Sequence, residues 1–239
     1  MKEENKLALF GGDKVVKKSF MRYNPIGKEE KNAAIEVIES GVLSKFLGVW
    51  GPDFFGGPKV QEFERRCEAF FGVKHAIVVN SWTSGLIMAV GAIGIEPGDE
   101  IIVTPWTMSA SATAILHWNA IPVFADIELK TFCLDPKSIE DNITPYTKAI
   151  MVVDIFGHSA DMKSIMDIAK KYELKVISDT AQAPGAVYHG EYAGTLADIG
   201  GYSLNYHKHI HTGEGGILVT NSDLYADKLR LIRNHAEVV

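Results

Sequence analysis

From His75 onward the chain alternates short β-branched runs with helical stretches, and this alternation limits its fold more than any other feature. The runs are AIVVN (76–80), EIIVT (100–104), IPVFAD (121–126), AIMVVD (149–154), KVISD (175–179), IGGYSL (199–204) and GILVT (216–220). Helical patterns such as Gly85–Ile93, Met162–Lys171 and Asp223–Asn234 fall between them. Near-continuous apolar strands separated by helices predict an α/β fold of three αβα layers, with a mostly parallel, seven-stranded sheet covered on both faces. Sheets of this kind bind ligands beyond the carboxyl ends of their strands. The polar residues at those ends are therefore the candidate site.

Upstream, apolar residues at helical spacing predict helices over Lys28–Ser40 and near Lys59–Phe71, on either side of the loop FLGVWGPDFFGG. The expected division is an N-terminal arm with helices over residues 1–74 and a large ligand-binding domain over residues 75–239. Large apolar residues in the intervening loop are expected to cover a partner subunit or a pocket mouth. A net charge of −6 argues against nucleic acid as the partner. Cys67 and Cys133 are too few for a disulfide framework and read as reduced structural thiols. The N-terminal MKEENKLALFGG lacks the apolar core of a signal peptide, and the apolar run Ile87–Ile95 is too short to span a membrane. The expectation is a cytoplasmic protein with no membrane partner.

Three strand ends carry chemistry. After AIVVN the chain reads SWTSG and enters an apolar helix. Free N–H groups at a helix start, with the Thr83 and Ser84 hydroxyls beside them, suit a phosphate, although plain N-capping by Ser81 or Thr83 explains the same residues. The pattern is neither a nucleotide P-loop nor a dinucleotide fingerprint. KVISD ends in Asp179, a carboxylate costly to bury unless it meets a cation or several donors, and Gln182 follows at the same rim. The third end is NYHKHIHTGEGG (205–216), which places His207, His209 and His211 at alternate positions. On a strand these imidazoles would share a face and offer themselves to a metal. No cysteine or carboxylate cluster completes such a ligand set, and the expectation is no metal. Between them stands Lys208, whose amine becomes nucleophilic when partly desolvated.

A phosphate cup, a strand-end carboxylate and a lysine, in that order along an α/β chain, are the parts that pyridoxal phosphate requires. With these residues in view, the chain resembles the DegT/DnrJ/EryC1/StrS aminotransferases, the sugar-aminotransferase branch of fold-type-I pyridoxal-phosphate enzymes. The matching stretches are LALFGG, FERRCEAFFGVKHAIVVNSWTSGL, PGDEIIVTPWTMSASATAI, PVFADIE, IFGHSADM, ISDTAQAPGA, YSLNYHKHIHTGEGGILVTN and the terminal RNH. The resemblance implies that Lys208 forms the internal aldimine and shuttles the proton, that Asp179 partners the ring nitrogen, and that Gln182 lies near the phenolic oxygen. It also implies that Thr83, Ser84 and Ser203 hold the phosphate, while Met108 or Trp106 stacks on the ring. A homodimer is implied as well, moving an amino group from glutamate or glutamine to a keto-sugar, nucleotide-linked in the larger class, or to a keto-cyclitol.

The sequence departs from the family pattern at three places. Trp82 replaces a small residue, which is expected to reshape the entrance to the phosphate cup, and Asp154 replaces a frequent histidine. The chain also stops just after RNH, where family members continue into a smaller C-terminal domain that carries substrate contacts. On that ground weak or absent turnover is expected of residues 1–239 alone. Lysine at position 208 favours transamination over the dehydratases that carry histidine there. The alternatives are a lyase or dehydratase on the same fold, or a homologue that binds the cofactor in a regulatory or structural role.

Overall fold

A computed structural model of the chain describes residues 6–20, 23–49 and 51–235. The first five residues, and Trp50 of the aromatic loop, lie outside them. The chain divides into two compact units, residues 1–43 and 44–239. In the first, helix α1 (Lys28–Glu39) starts at Gly27, whose N–H donates to the Glu30 carboxylate at 2.6 Å. That bond satisfies one of the donors left free at a helix start.

The second unit is the α/β fold. Its strands are β1 (His75–Val79), β2 (Glu100–Val103), β3 (Ile121–Phe124), β4 (Thr147–Val153) and β5 (Lys175–Asp179). A small hairpin, β6 (Val187–Tyr188) and β7 (Glu191–Tyr192), precedes β8 (Ile199–Ser203) and β9 (Gly216–Thr220). Seven of these strands form one sheet in the order β1-β9-β8-β5-β4-β2-β3. Strands β3, β2, β4, β5 and β8 run parallel, and β9 pairs antiparallel with both β8 and β1. The helices of this unit are α2 (Pro58–Phe71), α3 (Trp82–Ala92), α4 (Ser109–Leu116), α5 (Pro136–Asp141), α6 (Met162–Lys171) and α7 (Asp223–Arg233). Helix α2, grouped with the arm in the sequence reading, belongs to the sheet unit and packs on β1.

Alternation along the strands builds the three layers. Ile101, Val103, Ala149, Met151 and Ile177 face Leu86 and Ala89 of α3, Ile115 of α4 and Leu229 of α7. Ile102, Ile150, Val152 and Val176 face the other way, onto Ile139 of α5 and Met162 and Ile165 of α6. Several strands stop short of the sequence-predicted ends because the terminal polar residue turns its side chain to the backbone. Thr104 Oγ1 accepts from Trp106 N–H at 3.0 Å, and Asp154 Oδ1 accepts from Ala160 N–H at 3.0 Å. Cys67 and Cys133 are both buried free thiols, and burial pushes the Cys67 thiol up to about 11.

Edge strand β1 is closed by side chains rather than by another strand. Glu64 on α2 accepts from Val78 N–H at 2.9 Å, and Glu68 from Ala76 N–H at 3.3 Å. Arg233 at the end of α7 donates to Val78 O at 3.0 Å and to the Glu64 carboxylate at 2.6 Å. Capping an edge in this way denies it to other strands. It also fixes the strand that leads into the SWTSG turn.

Candidate active site

Asp179 ends β5, the central strand of the sheet, and is only 4% exposed. Its carboxylate opens into a cavity of about 220 Å³ at the carboxyl ends of the strands, with Lys208, Thr83, Met108, Gln182 and Ser203 also on its wall. Six of the seven residues expected from sequence thus share one pocket. Ser84, the seventh, faces elsewhere. It lines a separate cavity with Asn80 and Arg233, and its hydroxyl meets that of Ser81 at 3.0 Å.

The helix start has the geometry that an anion site needs. Ser81 is the N-cap of α3, its Oγ accepting from Ser84 N–H at 3.1 Å. Capping accounts for that one amide, while the preceding amides of the turn have no partner within the helix by its own geometry. Thr83 is exposed at the cavity wall beside them, and Ser203, at the end of β8, stands opposite.

The segment after Ser203 is not a strand. Residues 205–215 form a loop of turns pinned at its neck by Leu204 N–H to Gly215 O at 2.9 Å and Thr212 N–H to Leu204 O at 3.0 Å. The alternating face expected for His207, His209 and His211 therefore does not form, and no group of three potential metal ligands converges among the described residues. His207 reaches the cavity with Lys208. The loop is held by Lys208 N–H to Asn205 O at 2.8 Å and by Asn205 Nδ2 to Glu214 Oε1 at 2.7 Å. Desolvation holds the Lys208 ammonium below the ordinary lysine range, and the Asp179 charge opposes that shift in part.

Of the two residues considered for the ring face, Met108 lines the cavity, while Trp106 tilts against Phe132 with ring centroids 6.0 Å apart. Gln182 Oε1 accepts from Phe156 N–H at 3.2 Å, which leaves its amide NH₂ as the group free to face the pocket. Phe156 holds a left-handed φ of 53°, a strained turn directly behind Gln182.

The sequence reading did not anticipate what surrounds Asp179. Trp82 is 5% exposed, and its Nε1–H donates to Asp179 Oδ1 at 2.6 Å. Ser111 on α4 donates to Oδ2 at 2.7 Å, Thr107 lies 2.9 Å from Ser111 Oγ, and Ala181 N–H reaches Oδ1 at 3.2 Å. Trp82 thus lines the cavity beside Ser81 and Thr83 and at the same time supports the Asp179 carboxylate. Asp154 is buried behind β5, where it accepts from Ala160 N–H, Ser178 Oγ and Thr180 Oγ, and burial raises its carboxyl above the ordinary range.

Comparison with known proteins fits this arrangement. Residues 26–239 match the model of the DegT/DnrJ/EryC1/StrS aminotransferase family. Spore coat polysaccharide biosynthesis protein SpsC of Bacillus subtilis is 43% identical over 210 residues, covering 88% of this chain and 51% of that protein. GDP-perosamine synthase of Caulobacter vibrioides is 45% identical over 177 residues, 74% of this chain and 48% of that one. The solved aminotransferase of Psychrobacter cryohalolentis superposes with a TM-score of 0.81 at 34% identity, over 88% of this chain and 51% of that one. The chain spans about half the length of the curated relatives it matches. With the expected fold, a lysine and a buried carboxylate in one strand-end pocket, and a family match along most of its length, the chain belongs to the DegT/DnrJ/EryC1/StrS aminotransferase family of pyridoxal-phosphate-dependent enzymes.

Proposed function

We propose that the Asp179–Lys208 cavity holds pyridoxal 5'-phosphate, and that the protein transfers an amino group from glutamate or glutamine to a nucleotide-linked keto-sugar. One observation carries this reading. Asp179 is a buried carboxylate whose hydrogen-bond donors are all neutral, with no ion-pair partner among the described residues, and it shares its cavity with a desolvated lysine. A buried charge without a cation calls for one, and a protonated ring nitrogen supplies it. The donor set fits the rest of the cofactor equally well. The open start of α3 with Thr83 and Ser203 suits its phosphate, the Gln182 amide its phenolic oxygen, and Met108 the face of its ring.

When bound, pyridoxal phosphate supplies an electron-accepting ring that takes up carbanion charge at the substrate carbon. The side chains do the remaining work. Lys208 Nζ, on the cavity wall, would hold the cofactor and would carry a proton to and from the reacting carbon. Its lowered affinity for protons makes it a competent base closer to neutral pH. Asp179, on the same wall, would hold a proton on the ring nitrogen. Ser84 supports the phosphate cup through Ser81 instead of touching the phosphate itself.

The nucleotide-linked acceptor rests on the identity to GDP-perosamine synthase. We take the protein to act as a homodimer in the cytoplasm, and no helix among the described residues is long and apolar enough to cross a membrane. The test is a single turnover at stoichiometric protein. Glutamate added to the cofactor-loaded protein releases 2-oxoglutarate, and Lys208→Ala abolishes the release. An unchanged yield from Lys208→Ala contradicts the assignment.

A further inference from the structure

Asp179 is gripped by donors from three separate segments, Trp82, Ser111 and Ala181. A carboxylate offers about four lone-pair positions. Trp82 Nε1–H and Ala181 N–H occupy Oδ1, and Ser111 Oγ–H occupies one position on Oδ2. Oδ2 therefore keeps one acceptor position, and Asp179 itself forms part of the cavity wall.

Three glycines leave room for Trp82, Gly85 and Gly201 beside its ring and Gly216 beside its backbone. A Cβ on Gly85 of α3 would stand 2.8 Å from Trp82 Cε3, and one on Gly216 of β9 would stand 2.8 Å from Trp82 Cα. A Cβ on Gly201 of β8 would overlap the far edge of the ring. Real side chains essentially never approach so closely, so Trp82 and these glycines form one slot built from a helix and two strands. Ser111 is itself fully buried and is steadied by Thr107. Both donors are thus held in place before any ligand arrives.

We propose that Trp82 and Ser111 are positioning residues for Asp179. They lock its carboxylate rotation and share its negative charge, so that a single Oδ2 acceptor is presented to the ring nitrogen of pyridoxal phosphate. This rests on the reading that Asp179 faces that nitrogen. Removing either donor frees the carboxylate to rotate and concentrates its charge, which changes both the grip on the ring and the sharing of the ring proton.

The experiment loads the full chain with pyridoxal 5'-phosphate labelled with ¹⁵N in the ring. It compares wild type with Trp82→Phe, Ser111→Ala and Asp179→Asn. Trp82→Phe keeps the slot filled and removes only the N–H. Trp118→Phe is the control, because it deletes a comparable indole bond, to Ile87 O at 2.7 Å, outside the cavity. The expected result is a displaced ring ¹⁵N signal and about tenfold weaker cofactor binding in both Trp82→Phe and Ser111→Ala, the size of one lost hydrogen bond to a charged group. Asp179→Asn gives a larger change in the ring signal, and Trp118→Phe none. Circular dichroism of the unloaded proteins establishes that each variant is folded, and Ser111→Ala carries the test if Trp82→Phe is not. If Asp179→Asn displaces the signal while Trp82→Phe and Ser111→Ala match wild type, the positioning role is overturned and the cofactor reading stands. If Asp179→Asn also matches wild type, or the wild type does not bind the cofactor, the cofactor reading falls and takes this proposal with it.

Discussion

Replacing Glu64 by alanine should destabilise the protein far more than any comparable change on the exposed face of α2. The Glu64 side chain is 9% exposed and that of Arg233 7%, with Nη1 and Oε1 2.6 Å apart. Two further nitrogens of the Arg233 guanidinium, Nε and Nη2, are buried without a hydrogen-bond partner, so its charge depends heavily on Glu64. Burial already pushes this guanidinium down from its ordinary range, with Glu64 opposing, and an arginine does not escape by losing its proton. The alanine variant leaves a buried cation unpaired and also orphans the Val78 amide at the sheet edge. Breaking a buried pair from one side costs about 4 kcal/mol, and with a urea m-value of about 3 kcal/mol/M the unfolding midpoint falls by about 1.3 M. Glu62, on the same helix and bound to Arg66 at 2.6 Å, is the control, because that pair is 43% and 77% exposed. Removing it should cost less than about 1 kcal/mol. Glu64→Gln retains an acceptor for Val78 and should fall between the two. Equal midpoints for Glu64→Ala and Glu62→Ala refute the claim that this buried pair closes the β1 edge.

Three further outcomes follow from the site. Thr83→Val should weaken cofactor binding, whereas Ser84→Ala should leave it close to wild type, because only Thr83 lines the cavity; titrating pyridoxal phosphate into each variant checks the difference, and equal losses contradict it. Lys208 has a lowered folded proton affinity, so its cationic form costs stability below that folded value, and the cost is relieved as pH rises toward the ordinary lysine range. Lys208→Met, without cofactor, should therefore melt above wild type near neutral pH, with a gap that closes as the medium becomes alkaline; a gap that widens with pH is the wrong sign. Gly85→Ala should cost about 1–3 kcal/mol by overpacking the indole, despite alanine's better helix propensity, and should become harmless in a Trp82→Leu background. A urea double-mutant cycle reads this directly, and equal costs in both backgrounds empty the slot of its ring.

Local pattern made much of the fold legible. The β-branched runs located all seven strands of the main sheet, because most of these strands are buried on both faces and have few other ways to read, although edge strand β3 is partly exposed. Asp179 and Lys208 were legible as strand-end chemistry. The loop carrying Lys208 was not, since alternating histidines imitate a strand, whereas the turn bonds that shape residues 205–215 leave little trace in residue type. Trp82 was visible as a misfit, but its meaning depends on Asp179, which lies 97 positions away, and on glycines from three different elements. Ser111 was hidden in SASATAIL, where small hydroxyl residues announce only a helix start. The Glu64–Arg233 clamp joins positions 169 apart and carries no local signature at all.

The central claim is that Lys208 and Asp179 form one cofactor site. The most direct test is borohydride reduction of the protein incubated with pyridoxal phosphate, followed by peptide mass mapping. The account predicts a single phosphopyridoxyl-modified peptide bearing Lys208, with loss of the label in Lys208→Ala and strongly reduced labelling in Asp179→Asn. Label spread over exposed lysines, with Lys208 unmodified, would contradict it.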